Sequence, residues 1–193
     1  NLLDSNLITI CGEESFGTGS NHVREKDGLW AVLYWLQILA VKNCSVSELI
    51  QGHWKKYGRN YYSRHDYEAI PSNIANQIFD NLSFMLTTLK GNNFAGNLVK
   101  EADNFSYLDP VDNSISKNQG LRIILEDNSR VILRLSGTGT KGSTLRLYFE
   151  KFVSSQKNLD LNPQIALKNL IDDLDDLLNI TKLTKMTSPT VIT

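Results

Sequence analysis

An almost unbroken apolar segment, from Leu29 to Val41 and interrupted by Gln37, strongly limits what this chain can fold into. A membrane-spanning helix needs about 20 apolar residues, so this segment is too short to cross a bilayer. Its spacing is helical from about residue 25 to 41, and apolar side chains lie nearly all round that helix. Helices of this kind are buried on several sides. We therefore expect a soluble protein, with no membrane partner, in which this helix packs against several other elements.

The composition excludes further classes of protein. The chain has 193 residues, with Lys+Arg 20 against Asp+Glu 21 and a formal net charge of -1, so it lacks the basic excess of a nucleic-acid binder. Aromatic and branched aliphatic residues are too plentiful for a disordered chain. Two cysteines, Cys11 and Cys44, are too few for a disulfide scaffold, which favours a reducing, cytoplasmic location.

Local patterns predict a strand–loop–helix–helix segment followed by an α+β unit. The first segment has a β-branched strand at 7–11, a glycine-rich loop at 12–20, the apolar helix, and a second helix that Ser45 and Glu48 begin with a capping box. Beyond Gly58 the patterns predict strands near 60–67, 98–101, 105–108 and 145–149, a hairpin of 121–126 and 130–135, a helix from Ser72 to Gly91, and a helix opened by Asn162 and Pro163 that runs to Leu178.

Three expectations about packing follow from these elements. One strand and two helices cannot bury so apolar a helix, so we expect it to be only partly covered within this chain. The tryptophans Trp30, Trp35 and Trp54 are predicted to lie in the core. The acidic side chains Asp172, Asp173, Asp175 and Asp176 of the last helix are predicted to form a solvated face.

The sharpest local feature is the glycine-rich segment between Arg134 and Arg146. Residues 137–142 match the G-x-G-x-x-G pattern, but a dinucleotide-binding loop must open a helix. Here the loop leads into residues 145–149, which alternate with a period of two as a strand does. A Walker loop requires lysine after its last glycine, whereas Ser143 follows Gly142. Both nucleotide-binding interpretations are therefore disfavoured, and the pattern predicts a strand–loop–strand.

This loop has the properties of an anion site. Glycines let consecutive backbone N–H groups turn inward around an anion. Strand alternation places Arg134 and Arg146 away from the apolar face, one on each side of the loop, where two guanidinium groups can converge on one phosphate. An ordinary surface hairpin with solvated arginines remains the alternative. The hydroxyl donors predicted for the site are Ser136, Thr138, Thr140, Ser143 and Thr144.

A second candidate site lies in residues 12–28, at the end of the first predicted strand. The carboxylates of Glu13 and Glu14 and the hydroxyl of Ser15 suit sugar hydroxyls, and Lys26 is a candidate general acid or base. A hydrolase triad of Ser15, His22 and Asp27 is an alternative, but Ser15 lacks the G-x-S-x-G turn. The three histidines His22, His53 and His65 have no metal-ligand spacing, so no metal site is predicted.

The two segments together resemble the eukaryotic-type phosphoglucomutases of the phosphohexomutase superfamily. Residues 11–30 are similar to the sugar-recognition region of that family, and residues 134–148 to its phosphate-binding loop. Residues 55–60, 109–112 and 189–193 fit as well, in order over essentially the whole chain. The resemblance implies an α/β plus α+β fold: the end of domain three in residues 1–57, then a TATA-binding-protein-like α+β domain four in residues 58–193.

The resemblance also implies an activity, the interconversion of glucose 1-phosphate and glucose 6-phosphate. A phosphoserine donates its phosphoryl group, glucose 1,6-bisphosphate forms and reorients, and the other phosphoryl group returns to the serine. Lys26 matches the active-site lysine of the family, and Glu13 and Ser15 match its sugar contacts. The positions that match its phosphate contacts are Arg134, Ser136, Gly137, Thr138, Thr140 and Arg146.

Departures from the family pattern limit what this chain is expected to do alone. Neither the Thr-Ala-Ser-His loop that carries the phosphoserine nor the Asp-Gly-Asp-Gly-Asp loop that binds Mg²⁺ occurs in the sequence. We therefore expect the chain to be inactive without the remaining domains of a parent enzyme. Asn21 stands where an acidic residue is expected, and Asn113 where glycine is expected. A non-catalytic structural relative and a free-standing sugar-phosphate-binding module remain alternatives.

Overall fold

A computed structural model describes residues 1–13, 17–139, 142–154 and 158–193 of the chain, with the backbone alone for residues 138 and 139. The chain divides into two compact units, Asn1–His53 and Trp54–Thr193. Ser15 and Thr140, two of the predicted site residues, lie outside the described residues.

The first unit contains a short strand pair and an apolar helix. Strands β1 (Ile10–Gly12) and β2 (Thr18–Ser20) are antiparallel, so the predicted loop after residue 12 includes a second short strand. Helix α1 (Gly28–Lys42) follows, and α2 (Val46–Tyr57) begins in this unit and ends in the second.

Side chains cap the start of both helices. The Asp27 side chain accepts a hydrogen bond of 3.0 Å from the Trp30 N–H at the start of α1, and Asn43 ends that helix in the left-handed conformation at φ 48°. At α2 the predicted capping box is confirmed: Ser45 N–H donates to Glu48 Oε2 at 2.8 Å, and Glu48 N–H donates to Ser45 Oγ at 3.2 Å.

Helix α1 is exposed to an extent unusual for its composition. All of its residues are described and none of them is buried, and Leu29 and Val41 expose 80% and 76% of their surface. The expectation that this chain covers the helix only in part is confirmed.

The prediction that the tryptophans are core residues is wrong, since Trp35 is 42% exposed and Trp30 and Trp54 are half-buried. Aromatic content predicts a buried position only when the surrounding layers are present.

The second unit is an α+β fold around one antiparallel sheet. Its seven strands lie in the order β11-β3-β10-β9-β8-β5-β4, and β6 and β7 form a separate hairpin. The bounds are β3 Arg59–Ile70, α3 Ser72–Leu89, β4 Asn93–Phe94, β5 Asn97–Asn104, β6 Tyr107–Leu108, β7 Ile115–Ser116, β8 Leu121–Leu125, β9 Arg130–Gly139, β10 Gly142–Val153, α4 Pro163–Ala166, α5 Lys168–Leu178, α6 Ile180–Thr184 and β11 Val191–Ile192.

One face of this sheet forms the core. Leu133 of β9 and Leu145 and Leu147 of β10 are at most 2% exposed and belong to one cluster with Ile78 and Leu82 of α3. Residues between them face the other side of the sheet, because successive side chains of a strand point to opposite faces. The outer face therefore carries the polar residues of the same strands.

Two details of the last helices differ from the prediction. The helix predicted from Pro163 to Leu178 is interrupted at Leu167, whose fully buried side chain coincides with a backbone at φ -98° and ψ 1°. The acidic face is only partly solvated: Asp172 and Asp176 are exposed, but Asp173 accepts a hydrogen bond of 2.7 Å from the Ala95 N–H. That carboxylate satisfies a backbone donor of the turn between β4 and β5.

Candidate functional site

Arg134 and Arg146 face each other across the strands that flank the glycine-rich loop. They are register partners on β9 and β10, so their side chains leave the same, outer face of the sheet. Closer to the loop, Ser136 lies opposite Thr144 and Gly139 lies opposite Gly142. The predicted strand–loop–strand, with one guanidinium group on each side of the loop, is confirmed.

A glycine just before the neighbouring strand β8 leaves room for the side chain of Arg134. Gly120 lies just before β8, and a Cβ atom added there would come within 3.0 Å of Arg134 Cγ. Any larger residue at position 120 would therefore displace the arginine stem. Arg134 is exposed, whereas its neighbours Leu133 and Leu135 are fully and partly buried. Local packing thus holds the base of the side chain and leaves its charged end in water.

Two glycines give the loop its path. Gly137 and Gly142 have φ values of 77° and 94°, in the left-handed region that side chains other than glycine rarely adopt. At Gly142 space is limiting as well, because an added Cβ would lie 3.0 Å from the carbonyl oxygen of Ile70 and from the carbonyl carbon of Ala69. The loop therefore passes directly against the end of β3.

Ser143 is not available as a phosphate donor, contrary to the prediction. It is fully buried, and its Oγ donates a hydrogen bond of 3.1 Å to Ser72 Oγ at the start of α3. The alternation that turns Leu145 inward also turns Ser143 inward, so the sequence contained this signal. Ser136 and Thr144 are partly exposed and on the outer face. The side chains of Thr138 and Thr140 lie outside the described part of the chain.

Sequence analysis missed an acidic residue beside the arginines. Asp66 of β3 is 4% exposed, and its Oδ1 lies 3.0 Å from Arg64 Nε while its Oδ2 lies 3.8 Å from Arg146 Nε. Arg146 therefore stands between a carboxylate on one side and Arg134 on the other. Alternation alone places Arg64 and Asp66 on one face of their strand, but it does not indicate which strand lies beside them.

The second candidate site holds an ion pair between two of its predicted residues. Lys26 Nζ lies 2.7 Å from Glu13 Oε2, and both side chains are largely exposed. Gly17 makes this contact possible, because a Cβ atom there would lie 2.8 Å from Lys26 Cδ and 3.3 Å from Glu13 Oε2. The structure thus brings the carboxylate and the ammonium group together across the β1–β2 turn.

Hydrogen bonds at Ser20 and a helix cap at Asp27 hold the backbone on either side of Lys26. The Ser20 hydroxyl accepts hydrogen bonds from the His22 and Val23 N–H groups at 3.2 and 3.0 Å, and the Asp27 carboxylate caps α1. This capping role of Asp27 gives no support to the hydrolase triad. Lys26 therefore lies directly before the N-cap residue of α1, on a segment whose backbone is held by these hydrogen bonds.

The described residues show neither a metal centre nor a single membrane-spanning helix. No group of three or more His, Cys, Asp or Glu side chains among them is arranged to bind a metal ion. No helix in the same residues is long and apolar enough to cross a bilayer by itself; α1 and α2 reach that length only as a pair bent by 79°.

Burial shifts the pKa of two groups on the core side of β3. It lowers the pKa of His65, and the hydrogen bond from its Nε2 to Gln164 at 2.8 Å and the charge of Asp66 oppose this shift. Burial also raises the pKa of Tyr67 to about 12, with a smaller contribution from Asp175. Both groups are therefore uncharged at neutral pH, as a core position requires.

Comparison with known proteins matches the two parts of the chain to two family models. The model described as Phosphoglucomutase/phosphomannomutase, alpha/beta/alpha domain III, matches residues 1–57, and the model described as Phosphoglucomutase-1, C-terminal domain, matches residues 59–190. Asn113, where glycine was expected, adopts φ 61°, a conformation that asparagine tolerates.

Relatives match the whole chain but extend well beyond it. A phosphoglucomutase of Rhizobium radiobacter is 54% identical over 193 residues, and phosphoglucomutase-1 of Homo sapiens is 47% identical over 199; the chain covers 36% and 35% of their lengths. The crystal structure of the exocytosis-sensitive phosphoprotein pp63/parafusin of Paramecium, a phosphoglucomutase in an open form, is 48% identical, with a TM-score of 0.85 over the whole chain and 34% of its own length. This chain, which spans about a third of the length of these relatives, belongs to the phosphoglucomutase family.

Proposed function

We propose that this chain supplies the sugar-binding and phosphate-binding part of a phosphoglucomutase that interconverts glucose 1-phosphate and glucose 6-phosphate. The observation that carries the proposal is the register pairing of Arg134 with Arg146 beside the loop of Gly137 and Gly142. A planar guanidinium fork matches two phosphate oxygens, and two such forks on one face can hold a dianion from both sides. Loop N–H groups add neutral donors.

The phosphate site is proposed to hold the phosphate group that does not react. In the first half of the cycle, a phosphoserine outside this chain donates its phosphoryl group to the free hydroxyl of the sugar phosphate, which gives glucose 1,6-bisphosphate. That molecule then reorients, and the other phosphoryl group returns to the serine. The residues proposed to contact the distal phosphate are Arg134, Ser136, Gly137, Thr138, Thr140 and Arg146.

The Glu13–Lys26 pair is proposed to act on the sugar. The Glu13 carboxylate accepts hydrogen bonds from sugar hydroxyls, and Ser15 is proposed as a second contact. Lys26, 2.7 Å from Glu13, is proposed to donate and remove the proton of the reacting hydroxyl. The exposure of both side chains supports a position at a surface that substrate can reach.

The remaining parts of the catalytic machinery are proposed to lie on other segments of the enzyme. We infer that residues 1–57 end a sugar-binding domain three and that residues 58–193 form domain four, a division that the two family matches support. The described residues offer no donor set that fits Mg²⁺, so its ligands are proposed to lie on other segments of the enzyme. The free cysteines Cys11 and Cys44 support a reducing, cytoplasmic location.

A chimera tests this function. Replacing the matched segment of the Rhizobium radiobacter phosphoglucomutase with this chain is expected to give an enzyme that converts glucose 1-phosphate to glucose 6-phosphate. The Arg134→Gln chimera is expected to lose most of this activity. As a matched control, Arg130→Gln removes an arginine of the same strand whose partner is Glu150, away from the loop. A folded chimera that binds hexose phosphate without converting it would favour the non-catalytic relative instead.

A further inference from the structure

We propose that Asp66 is the positioning residue of the phosphate site: its carboxylate holds the Nε side of Arg146, so that the two terminal nitrogens of that guanidinium group remain free to bind phosphate. This inference rests on the proposed function, because it assumes that Arg134 and Arg146 bind a phosphate group. Asp66 itself is proposed to touch neither the phosphate nor the sugar.

The sheet register places the three side chains in one row. Asp66 of β3 is the partner of Arg146 on β10, and Arg146 is the partner of Arg134 on β9. Direct partners on antiparallel strands have Cβ atoms about 4.5–5.5 Å apart on the same face. The carboxylate is therefore a neighbour of one phosphate-binding arginine, and it lies on the far side of that arginine from the other.

The Asp66 side chain is removed from water. Asp66 is 4% exposed, and β11 covers its outer flank, with Val191 as its register partner and the Thr190 N–H donating to the Asp66 carbonyl at 2.8 Å. A carboxylate removed from water is costly unless cations accompany it. Here the cations are Arg64, at 3.0 Å from Oδ1, and Arg146, at 3.8 Å from Oδ2.

The contacts of Arg146 leave its binding atoms available. Its Nε atom is buried beside Asp66 without forming a hydrogen bond, whereas the side chain as a whole is 42% exposed. Within the described part of the chain, its only charged partner is Asp66. The arginine is thus held by attraction at its inner edge and is accessible at its outer edge. Contacts this long can shorten when a ligand binds.

Two possible roles of Asp66 predict opposite changes in phosphate affinity when its charge is removed. If Asp66 acted only through its charge, its removal would leave a more positive site that binds phosphate more tightly. If it positions Arg146, its removal lets two opposed guanidinium groups separate, and phosphate binds more weakly. Asp66→Asn keeps the shape of the side chain and removes the charge, so it distinguishes these roles.

The experiment is a titration of inorganic phosphate into the 193-residue chain, followed by NMR of backbone amides in the loop and of the arginine Nε–H groups. Asp66→Asn is expected to weaken phosphate binding by about tenfold. The matched control is Asp103→Asn, which removes the carboxylate that accepts hydrogen bonds from Arg122 at 2.9 and 2.6 Å on β5 and β8 of the same sheet. This control is expected to keep the wild-type affinity.

A double-mutant cycle separates positioning from general destabilisation. In an Arg146→Lys background, which lacks the fork, Asp66→Asn is expected to cost about twofold or less in affinity. Asp66→Glu, which keeps the charge, is expected to bind phosphate with an affinity within about threefold of that of the wild type.

Equal or tighter phosphate binding by Asp66→Asn, or the same loss of affinity in the Arg146→Lys background, would overturn the inference while leaving the proposed function intact. Absence of phosphate binding by the wild type would instead reject the proposed phosphate site and, with it, this inference.

Discussion

Ser143 and Ser72 are joined by a hydrogen bond of 3.1 Å between their hydroxyl oxygens, which ties the end of the glycine-rich loop to the first residue of α3. Because Ser143 is fully buried, one side of the loop is anchored in the core. The adjacent outer-face residues are thereby fixed relative to the sheet. The loop proposed to bind phosphate is thus anchored on the core side of the sheet, and its arginines lie on the opposite, outer face.

This close packing predicts a large effect at Gly142. Gly142→Ala adds a Cβ atom 3.0 Å from the β3 backbone at a φ of 94°, whereas Gly91→Ala adds one in open space at a φ of 82°. The positive φ alone costs roughly 1–2 kcal/mol. We expect Gly142→Ala to lower the free energy of unfolding by about 2 kcal/mol more than Gly91→Ala does, measured by urea denaturation. Equal losses would show that the loop can move away from β3.

The exposed ion pair of Lys26 and Glu13 should matter for activity and little for stability. Exposed pairs contribute about 0–1 kcal/mol, so Lys26→Met is expected to change the thermal midpoint only slightly. General acid–base groups contribute about 10²–10⁴-fold in rate, so the same change in the chimera should lower kcat by at least about 100-fold. Arg24→Gln, which breaks a second exposed ion pair at 2.7 Å from Asp4, is the control and should leave kcat unchanged. A similar kcat for both variants would contradict the role of Lys26.

His65 should make the second unit less stable in mild acid. Burial holds its pKa below the unfolded value of about 6.5, so between these two values the unfolded chain binds more protons than the folded one. The contribution of His65 to the free energy of unfolding is therefore expected to be fully present above pH 6.5. Below pH 6.5 the free energy of unfolding is expected to fall as the pH decreases. His65→Gln should reduce this slope in urea titrations between pH 7 and pH 5, and His22→Gln, at an exposed position, should not. If the free energy of unfolding of the His65→Gln variant depended on pH as that of the wild type does, His65 would not be the cause of this pH dependence.

Helix α1 should behave as a surface in this chain and as a core element in the whole enzyme. Leu33 is 66% exposed, so Leu33→Gln should change the stability of the 193-residue chain by less than about 0.5 kcal/mol. In the chimera, where we propose that other segments cover α1, the same change should cost more than about 2 kcal/mol. Leu82→Ala, at a position 1% exposed in the core, should be costly in both proteins. A small effect of Leu33→Gln in both would show that α1 stays uncovered.

The features that sequence predicted correctly are local ones. The capping box of Ser45 and Glu48 and the outward position of Arg134 follow from spacing within a few residues. Asp66 could not be identified in this way, because its role depends on β3 lying beside β10, and these strands are about 80 residues apart in sequence. The break at Leu167 likewise depends on core packing rather than on helix propensity.

The exposure of α1 was predictable for a different reason. The apolar surface of α1 is larger than the neighbouring elements of the first unit can cover. This excess is visible in the sequence between Leu29 and Val41. The exposure of the tryptophans did not follow from their residue type, because residue type does not indicate which layer would bury them. Trp30 stacks on Tyr34 at 5.3 Å instead.

The pairing of Arg134 with Arg146 is tested most directly by a phosphate titration of single lysine variants. Arg134→Lys and Arg146→Lys keep the charge but remove the fork, and a charge-assisted hydrogen bond contributes about 1.5–3 kcal/mol. Each variant is therefore expected to bind inorganic phosphate at least about tenfold more weakly than the wild-type chain, with loop amide shifts as the readout. Arg130→Lys, on the same strand but paired with Glu150, should bind as the wild type does. If all three variants bound phosphate with wild-type affinity, the two arginines would be ordinary surface residues and the proposed site would be wrong.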